Sequence, residues 1–214
     1  MFYMAYEKLV CIDIDGTLSE KNSWERMNVA LGMSPEKDYK LFKAYMANEI
    51  IYDDWLNALV TAYARGSETH ERIIVDLFSD TNLVPEARDV VSAAQSAGYN
   101  VLLLSGAVDE FVHQVAKELG VTDYRACTQI VYDEEGYIER FAHAGDERDA
   151  KVHLLKEYVA EVGLSLDQCI CVGDGGNDEG IFELTGKGIA FEGTPIADKA
   201  WKVIPSLAAL PSVL

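Results

Sequence analysis

The sequence predicts an α/β protein with a doubly wound parallel sheet and an inserted all-helical segment. Short apolar runs that resemble buried strands alternate with stretches whose apolar residues recur at helical spacing. Such alternation is typical of a parallel sheet that helices cover on both faces. A long stretch after the first strand, residues 21–80, carries helical spacing without a strand pattern.

The first predicted strand is the short apolar run 9–14, which leads into a turn of aspartate and glycine. Further apolar runs predict strands at 100–104, 126–132 and 168–172. The run 126–132 is followed by a polar turn and a second short apolar run, which predicts a hairpin. We therefore expect residues 1–20 and 81–214 to form one Rossmann-like α/β domain.

Residues 21–80 are predicted to form a second, smaller domain inserted directly after the first strand. Their apolar side chains recur at helical spacing in successive groups. Pro35 and Gly66 interrupt the pattern, as residues that break helices do. We expect a bundle of about four helices.

The composition limits the classes of partner. The chain has 214 residues and a formal net charge of −18, which repels phosphate backbones and anionic membranes. Neither nucleic acid nor a membrane is therefore an expected partner. No apolar run approaches the roughly 20 residues that span a bilayer, and the N-terminus lacks the pattern of a signal peptide. We expect a cytoplasmic location, and the sequence leaves the oligomeric state open, a homodimer included.

The cysteines favour a core role. Cys11, Cys169 and Cys171 lie in apolar runs, and Cys127 lies at the start of another. Reduced thiols packed in the core explain this placement. Cys169 and Cys171 are separated by one residue, and no histidine pair accompanies them, so the spacing does not favour a zinc site.

The first candidate site residues are two aspartates where the first strand ends. Asp13 and Asp15 project from the same side of the strand, because side chains alternate along it. A buried carboxylate is unfavourable by several kcal/mol unless it is paired or bound to a metal. Ligands of doubly wound sheets bind at this edge, so the pair is a candidate for catalysis. An ordinary turn rich in aspartate and glycine is the alternative.

Two further candidates offer anion-binding groups. Ser105 and Gly106 follow the predicted strand 100–104 and present a hydroxyl and a backbone amide, although Ser-Gly is also a common turn. Lys151 is predicted to open a helix, where a cation opposes the helix dipole. An anionic ligand would explain that placement, and a solvated lysine is the alternative.

The last candidate loop follows the strand 168–172. Asp174, Asn177 and Asp178 flank glycines there, a composition that suits a hard cation with oxygen ligands. The loop lacks the spacing of a dinucleotide fingerprint and of a P-loop, and an acidic loop without a ligand is the alternative. Together the four motifs offer a nucleophile, an acid–base partner, anion donors, a cation and a metal site, which is a full set for phosphoryl transfer.

In their order and spacing, these motifs resemble the haloacid dehalogenase superfamily, and most closely its phosphoserine-phosphatase-like branch. The motifs are Asp13-Ile14-Asp15-Gly16-Thr17, Ser105-Gly106, Lys151 and Gly173-Asp174-Gly175-Gly176-Asn177-Asp178. The resemblance extends over nearly the whole chain, because residues 21–80 lie where that branch carries its helical cap. It implies Mg²⁺-dependent hydrolysis of a small phosphorylated metabolite.

The resemblance also implies a role for each motif. Asp13 would attack phosphorus and become an aspartyl phosphate, while Asp15 would protonate the leaving oxygen and then deprotonate the attacking water. The implied phosphate-binding groups are Ser105, Gly106, Lys151 and Asn177. The implied Mg²⁺ ligands are Asp13, Asp15 through its backbone carbonyl, Asp174 and Asp178, the last in support of the metal or of Lys151.

The sequence departs from that branch where the substrate would be recognised. Phosphoserine phosphatases have a glutamate and an arginine in the cap that bind the amino and carboxylate groups of serine. Spacing from the first motif places these positions at Asn22 and near Leu59, so neither charge is present. Ser23, Trp24 and Arg26 lie close by and either contact a different leaving group or belong to an ordinary helix.

Two other functions share parts of the pattern. A phosphomutase uses the same intermediate but transfers the phosphoryl group to a second sugar hydroxyl, which product analysis distinguishes from hydrolysis. A phospho-receiver domain of a signalling protein is also doubly wound and phosphorylated on aspartate, but such domains are shorter and lack a helical insert. A dehalogenase is disfavoured, because Asp15 and Asp174 suit phosphate chemistry.

Overall fold

The computed structural model describes residues 7–63 and 69–214. Gly66, which we expect to interrupt the helical pattern, lies outside the described residues. The strands are β1 Leu9–Ile12, β2 Asn100–Val108, β3 Asp123–Tyr132, β4 Ile138–His143, β5 Cys169–Val172, β6 Gly188–Phe191 and β7 Lys202–Ile204. The helices are α1 Ser23–Ala30, α2 Pro35–Met46, α3 Tyr52–Ala62, α4 Glu71–Phe78, α5 Ala87–Ser96, α6 Asp109–Leu119, α7 Glu147–Glu161 and α8 Glu179–Thr185.

The strands form one sheet in the order β4-β3-β2-β1-β5-β6-β7. All neighbours pair in parallel except β3 and β4, which form the antiparallel hairpin that the sequence predicts. The chain builds β2 to β4 on one side of β1 and then β5 to β7 on the other. The predicted doubly wound α/β class is confirmed. The carboxyl ends of β1, β2 and β5 lie side by side where the strand order reverses.

Helices cover both faces of this sheet. Along β1, Val10 and Ile12 belong to the apolar cluster on one face, whereas Leu9 and Cys11 belong to the cluster on the other. Each cluster is completed by residues of helices, such as Phe111 of α6 on the first face. A strand buried on both faces reads as a continuous apolar run, which is why β1 could be recognised from sequence.

Two candidate motifs lie elsewhere in their elements than the sequence predicts. Ser105 and Gly106 lie inside β2, which continues to Val108, and not in a loop after it. Their pairing with β3 is irregular, because the register shifts between Ser105 and Val108. Lys151 lies one turn inside α7 and does not open it, since the helix starts at Glu147 with Asp146 as its N-cap.

Among the described residues, the chain between β1 and α5 forms four helices, α1 to α4, as expected for the insert. Asn22 and Ser34 accept hydrogen bonds from backbone amides at the starts of α1 and α2, respectively. The insert leaves and returns at one place: Glu20 N donates to Asn82 O over 3.0 Å, and Val84 N donates to Leu18 O over 2.9 Å.

The insert also packs on the β3–β4 hairpin. Tyr52 of α3 and Thr128 of β3 share a hydrogen bond of 2.9 Å between their hydroxyls. The neighbouring Asp53 lies 2.7 Å from Nε2 of His143 on β4. The helices are therefore held over one edge of the sheet by contacts with the hairpin as well as by their two chain connections.

All four cysteines are buried and free, as the sequence predicts. In the part of the chain that the structure describes, no helix is long and apolar enough to cross a membrane.

Candidate active site

Asp13 follows β1 directly and lies where the sheet order reverses. Its backbone amide donates to Val172 O at the end of β5 over 3.0 Å, which fixes the residue between the two strands. The side chain is only 4% exposed, and its Oδ1 lies 2.8 Å from Nζ of Lys151. A carboxylate with so little water around it requires this positive partner.

Lys151 is completely buried between two carboxylates. Its Nζ lies 2.8 Å from Asp13 Oδ1 and 2.6 Å from Asp178 Oδ1. Burial alone would lower the pKa of the ammonium, but the charges of Asp13 and Asp178 outweigh that effect and raise the pKa well above its ordinary value. The lysine is therefore a fixed positive charge beside Asp13, held by a residue of the last motif.

Asp15 is held by the first turn of the helical insert. Its Oδ2 accepts hydrogen bonds from Ser23 N over 2.9 Å and from Ser23 Oγ over 2.6 Å. The other oxygen, Oδ1, is buried and has no hydrogen-bond partner among the described residues. Burial raises the pKa of Asp15 to about 7, although the bonds from Ser23 lower it. A carboxyl group with this pKa can both donate and accept a proton near neutral pH.

Asp174 approaches the first motif closely. Thr17 Oγ1 donates to Asp174 Oδ1 over 3.1 Å. A Cβ on Gly16 would lie closer than 3.0 Å to Oδ2 of Asp174, and Gly16 has a φ of +80°. Burial and then the charge of Asp13 raise the pKa of Asp174 to about 6. Only a glycine fits at position 16, for steric reasons and because of its backbone angle.

Three carboxylates converge at this point. Asp13, Asp174 and Asp178 each offer an oxygen, and these oxygens lie within 4.8 Å of one another. Carboxylate oxygens are the donors that Mg²⁺ and other hard cations prefer. Burial is the main cause of the raised pKa of Asp174, and the negative charge of Asp13 adds to it, an addition that a cation would relieve. The residues present therefore fit a divalent metal ion.

Ser105, Gly106 and Asn177 line a cavity with a volume of about 780 Å³, which also contains Asp13, Asp15 and Asp174, whereas Lys151 is completely buried and is not part of the lining. Ser105 is 1% exposed and its Oγ accepts a hydrogen bond from Ala107 N over 3.2 Å. Trp24 Nε1 donates to Gly106 O over 3.1 Å, so α1 steadies this part of β2. The structure thus brings Ser105, Gly106 and Asn177 to one cavity with Asp13.

Glu147 is a site residue that the sequence analysis missed. Its Oε2 accepts a hydrogen bond from Nδ2 of Asn177 over 2.8 Å. The same carboxylate lies against Gly106, where a Cβ would approach it closer than 3.0 Å. Burial raises the pKa of Glu147 to about 7. In the sequence this residue resembles the ordinary acid of a first helical turn, so no local signal distinguishes it.

The similarity of the chain to known proteins agrees with this geometry. The family model of haloacid dehalogenase-like hydrolases matches residues 7–182, most of the chain. The chain belongs to the haloacid dehalogenase-like hydrolases. The resemblance predicted from the four motifs is confirmed, and membership in a hydrolase family counts against the receiver-domain alternative.

This haloacid dehalogenase-like hydrolase has curated relatives among phosphoserine phosphatases. It is 30% identical over 198 residues to the phosphoserine phosphatase of Lactococcus lactis, covering 92% of this chain and 89% of the relative. It is also 30% identical over 189 residues to that of Streptococcus thermophilus, covering 88% and 85%, respectively. Its fold is similar to a solved phospho-aspartyl intermediate analogue of phosphoserine phosphatase, with a TM-score of 0.80, 22% identity and coverage of 98% and 99%.

The two positions that spacing assigns to the charged cap residues of phosphoserine phosphatases carry no charge in this chain. Asn22 caps α1 and lines the cavity, while Leu59 is fully buried in the apolar core. Ser23 holds Asp15, and Trp24 lines the cavity and holds Gly106. Arg26 does not line the cavity, because its guanidinium donates to the backbone oxygens of residues 77 and 80.

Proposed function

We propose that this haloacid dehalogenase-like hydrolase is a Mg²⁺-dependent phosphatase that hydrolyses a small phosphomonoester through an aspartyl phosphate on Asp13. One observation carries the proposal: the buried Asp13 carboxylate faces a cavity and lies 2.8 Å from the buried ammonium of Lys151. A nucleophilic carboxylate beside a fixed cation is what attack on a phosphate ester requires. The relatives named phosphoserine phosphatases support the same chemistry.

In the first step, a carboxylate oxygen of Asp13 forms a bond to phosphorus as the bond from phosphorus to the leaving oxygen breaks. Asp15 donates its proton to that oxygen, and the raised pKa of its carboxyl group supports this role. Lys151, the hydroxyl of Ser105 and the amide of Gly106 hold the phosphoryl oxygens. The alcohol leaves and an aspartyl phosphate remains.

In the second step, water attacks the same phosphorus. Asp15, now ionised, accepts a proton from the water, and the bond between phosphorus and the Asp13 oxygen breaks. Inorganic phosphate is released and both aspartates return to their starting states. Dividing hydrolysis into two displacements is the benefit of the covalent intermediate.

Asp13 and Asp174, with the backbone carbonyl of Asp15, would hold the Mg²⁺ ion. Asp178 would support the site by keeping Lys151 in place, as its 2.6 Å ion pair suggests. When bound, the ion supplies positive charge that offsets the repulsion between the ester and the nucleophile. The convergence of three carboxylates within 4.8 Å supports this assignment.

Residues 21–80 serve as a cap and residues 1–20 with 81–214 as the catalytic domain. The hydrogen bonds from Ser23 to Asp15 and from Trp24 to Gly106 support these two roles, because they connect the insert with the reacting groups. A cap that excludes bulk water strengthens electrostatic interactions at the phosphate. A cytoplasmic location and the absence of nucleic-acid partners stay predictions, and the oligomeric state stays open.

The proposal is tested by phosphate release from a panel of small phosphate esters, with Mg²⁺ and with a chelator. We expect release with Mg²⁺ and loss of release with the chelator. Release of no phosphate from any ester would contradict the proposal. Appearance of a second sugar phosphate in place of inorganic phosphate would identify the chain as a phosphomutase.

The close approach of Gly16 to Asp174 gives a separate prediction about the metal. In Gly16→Ala the new Cβ would displace the Asp174 carboxylate, so the Mg²⁺ concentration for half-maximal activity should rise about 10- to 100-fold. Gly120→Ala is the matched control, because Gly120 has a similar φ of +67° but no atom within 4 Å of its Cβ position. An unchanged Mg²⁺ requirement in Gly16→Ala would mean that Asp174 is not a ligand of the metal.

A further inference from the structure

The cavity at Asp13 extends well beyond the space for a phosphate group. Its volume of about 780 Å³ is within the range of small-molecule pockets. Much of its wall is provided by the helices α1, α2 and α3 of the insert. The aromatic residues on this wall are Trp24, Tyr39, Phe42, Tyr45 and Trp55.

Three of these rings, those of Trp24, Tyr45 and Trp55, form a connected aromatic cluster. Trp24 and Trp55 meet edge to face with centroids 5.0 Å apart, and Tyr45 stacks on Trp55 with centroids 5.5 Å apart. Phe42 is 46% exposed, so its ring is accessible to a bound molecule, whereas the ammonium of Lys43 already lies over the Tyr39 ring, 5.3 Å from its centroid. The negative faces of such rings attract cations, and Trp attracts them most strongly.

The charged groups of the cavity wall are almost all acidic. They are Glu25, Asp38, Asp146, Glu147 and Glu179, apart from the aspartates assigned to catalysis and metal binding. Arg148 is the one basic residue among the described residues of the lining, and it pairs with Glu179 at 3.7 Å and Glu183 at 3.1 Å. Lys151 pairs with Asp13 and Asp178 instead of facing a leaving group. The described wall offers no unpaired cation to a substrate carboxylate.

Glu147 connects the acidic and aromatic parts of this wall with the phosphate-binding groups. Its carboxylate contacts Gly106 and accepts from Asn177. Burial and, after it, the charge of Glu147 raise the pKa of the Tyr45 and Tyr52 hydroxyls. Glu147 and Tyr45 line the same cavity as Gly106, so a group attached to the leaving oxygen of the substrate would lie in the space that they border.

We propose that the leaving group carries a positively charged nitrogen and no carboxylate, so that the substrates are phosphomonoesters of amino alcohols with Glu147 as the specificity-determining residue. This inference rests on the proposed phosphatase function and names its substrate class. The nitrogen is either a primary or a quaternary ammonium. Glu147 provides its counter-charge and the rings provide cation–π contacts, whereas a substrate carboxylate meets only like charges.

Two matched substrate pairs test the proposal. Phosphoethanolamine and phosphoserine differ by one carboxylate, and phosphocholine and 3,3-dimethylbutyl phosphate differ by the charge of one atom. For at least one pair we expect kcat/KM of the cationic ester without a carboxylate to exceed that of its partner by about 10-fold or more. Direct comparison of kcat/KM for phosphoethanolamine and phosphocholine distinguishes a primary from a quaternary ammonium. A preference for phosphoserine, or ratios near one in both pairs, would overturn the inference.

Variants then test the role of Glu147. Glu147→Gln should reduce the preference of the enzyme by about 10-fold. The preference is the ratio of kcat/KM for phosphocholine to that for 3,3-dimethylbutyl phosphate, or for phosphoethanolamine to that for phosphoserine. Glu157→Gln is the control on the same helix, where Glu157 pairs with His153 at the surface 3.3 Å away, and it should leave both ratios unchanged. Equal kcat/KM ratios in Glu147→Gln and wild type would show that Glu147 does not determine the substrate specificity. The wild-type ratios keep the inference testable if the variant does not fold.

Hydrolysis of p-nitrophenyl phosphate separates this inference from the proposed function. Mg²⁺-dependent hydrolysis of that ester without preference for cationic leaving groups would overturn the substrate class alone. Absence of hydrolysis of every ester would overturn the phosphatase function and the substrate class with it.

Discussion

The Asp13→Asn variant is expected to lose Mg²⁺-dependent phosphatase activity by at least about 10⁴-fold, because removing a catalytic nucleophile has effects of that order. The amide has the shape of the carboxylate but is a poor nucleophile toward phosphorus. The change also removes one of the three carboxylates that converge for the metal. Phosphate release at saturating Mg²⁺ measures the loss, and mass spectrometry of the acid-quenched protein should find the phosphorylated residue in wild type only.

The fold of Asp13→Asn should survive. Lys151 keeps its ion pair with Asp178 at 2.6 Å, so the variant leaves no buried charge alone. Asp198→Asn, at an exposed residue of a short turn after β6, is the control for the same chemical change and should retain wild-type activity. A folded Asp13→Asn variant with substantial turnover would assign the nucleophile to another residue.

The Lys151→Met variant should lose both activity and stability. Methionine is close to lysine in length but has no charge, so Asp13 and Asp178 would face each other in the core without a cation. Breaking a buried pair by removing one partner lowers the free energy of unfolding by about 3–5 kcal/mol. Activity should fall about 10²- to 10³-fold or more, because the phosphoryl oxygens lose a preorganised cation.

Denaturant unfolding in the presence of a chelator measures the stability part of that prediction. Lys156→Met is the matched control on α7, since Lys156 is exposed and its replacement should change the free energy of unfolding by no more than about 0.5 kcal/mol. Equal stability of the two variants would mean that the ammonium of Lys151 does not hold the two aspartates together.

The parts of the fold that could be predicted are those with a local signal. β1 is buried on both faces, so its residues form an uninterrupted apolar run. Gly120 ends α6 in a left-handed conformation, as expected of a glycine after an amphipathic stretch. The extension of β2 through Ser105 and Gly106 could not be predicted, because it depends on pairing with β3 far along the chain.

The same distinction applies to the site. Asp13 and Asp174 stand at the ends of recognisable strands, so their meeting follows from the rule for ligand sites in doubly wound sheets. Glu147 and Ser23 could not be assigned in that way. Ser23 reaches Asp15 only because α1 begins where it does, and Glu147 reaches Asn177 across 30 residues of sequence. Contacts of this kind depend on tertiary packing, for which a single sequence has no local pattern.

The helical insert leaves and rejoins the sheet through adjacent hydrogen-bonded segments, residues 18–20 and 82–84. For an insertion whose ends already meet, the entropy of loop closure grows only with the logarithm of its length, by about 0.6 kcal/mol for each doubling. Helices can thus be lengthened, shortened or exchanged there at little expense to the stability of the sheet. Asp13 and Lys151, on the sheet and on α7, can be retained while the part of the insert beyond Trp24 is replaced, because Ser23 and Trp24 at the start of α1 hold Asp15 and Gly106. Such a chain can acquire new substrates in evolution or in the laboratory without redesign of its chemistry.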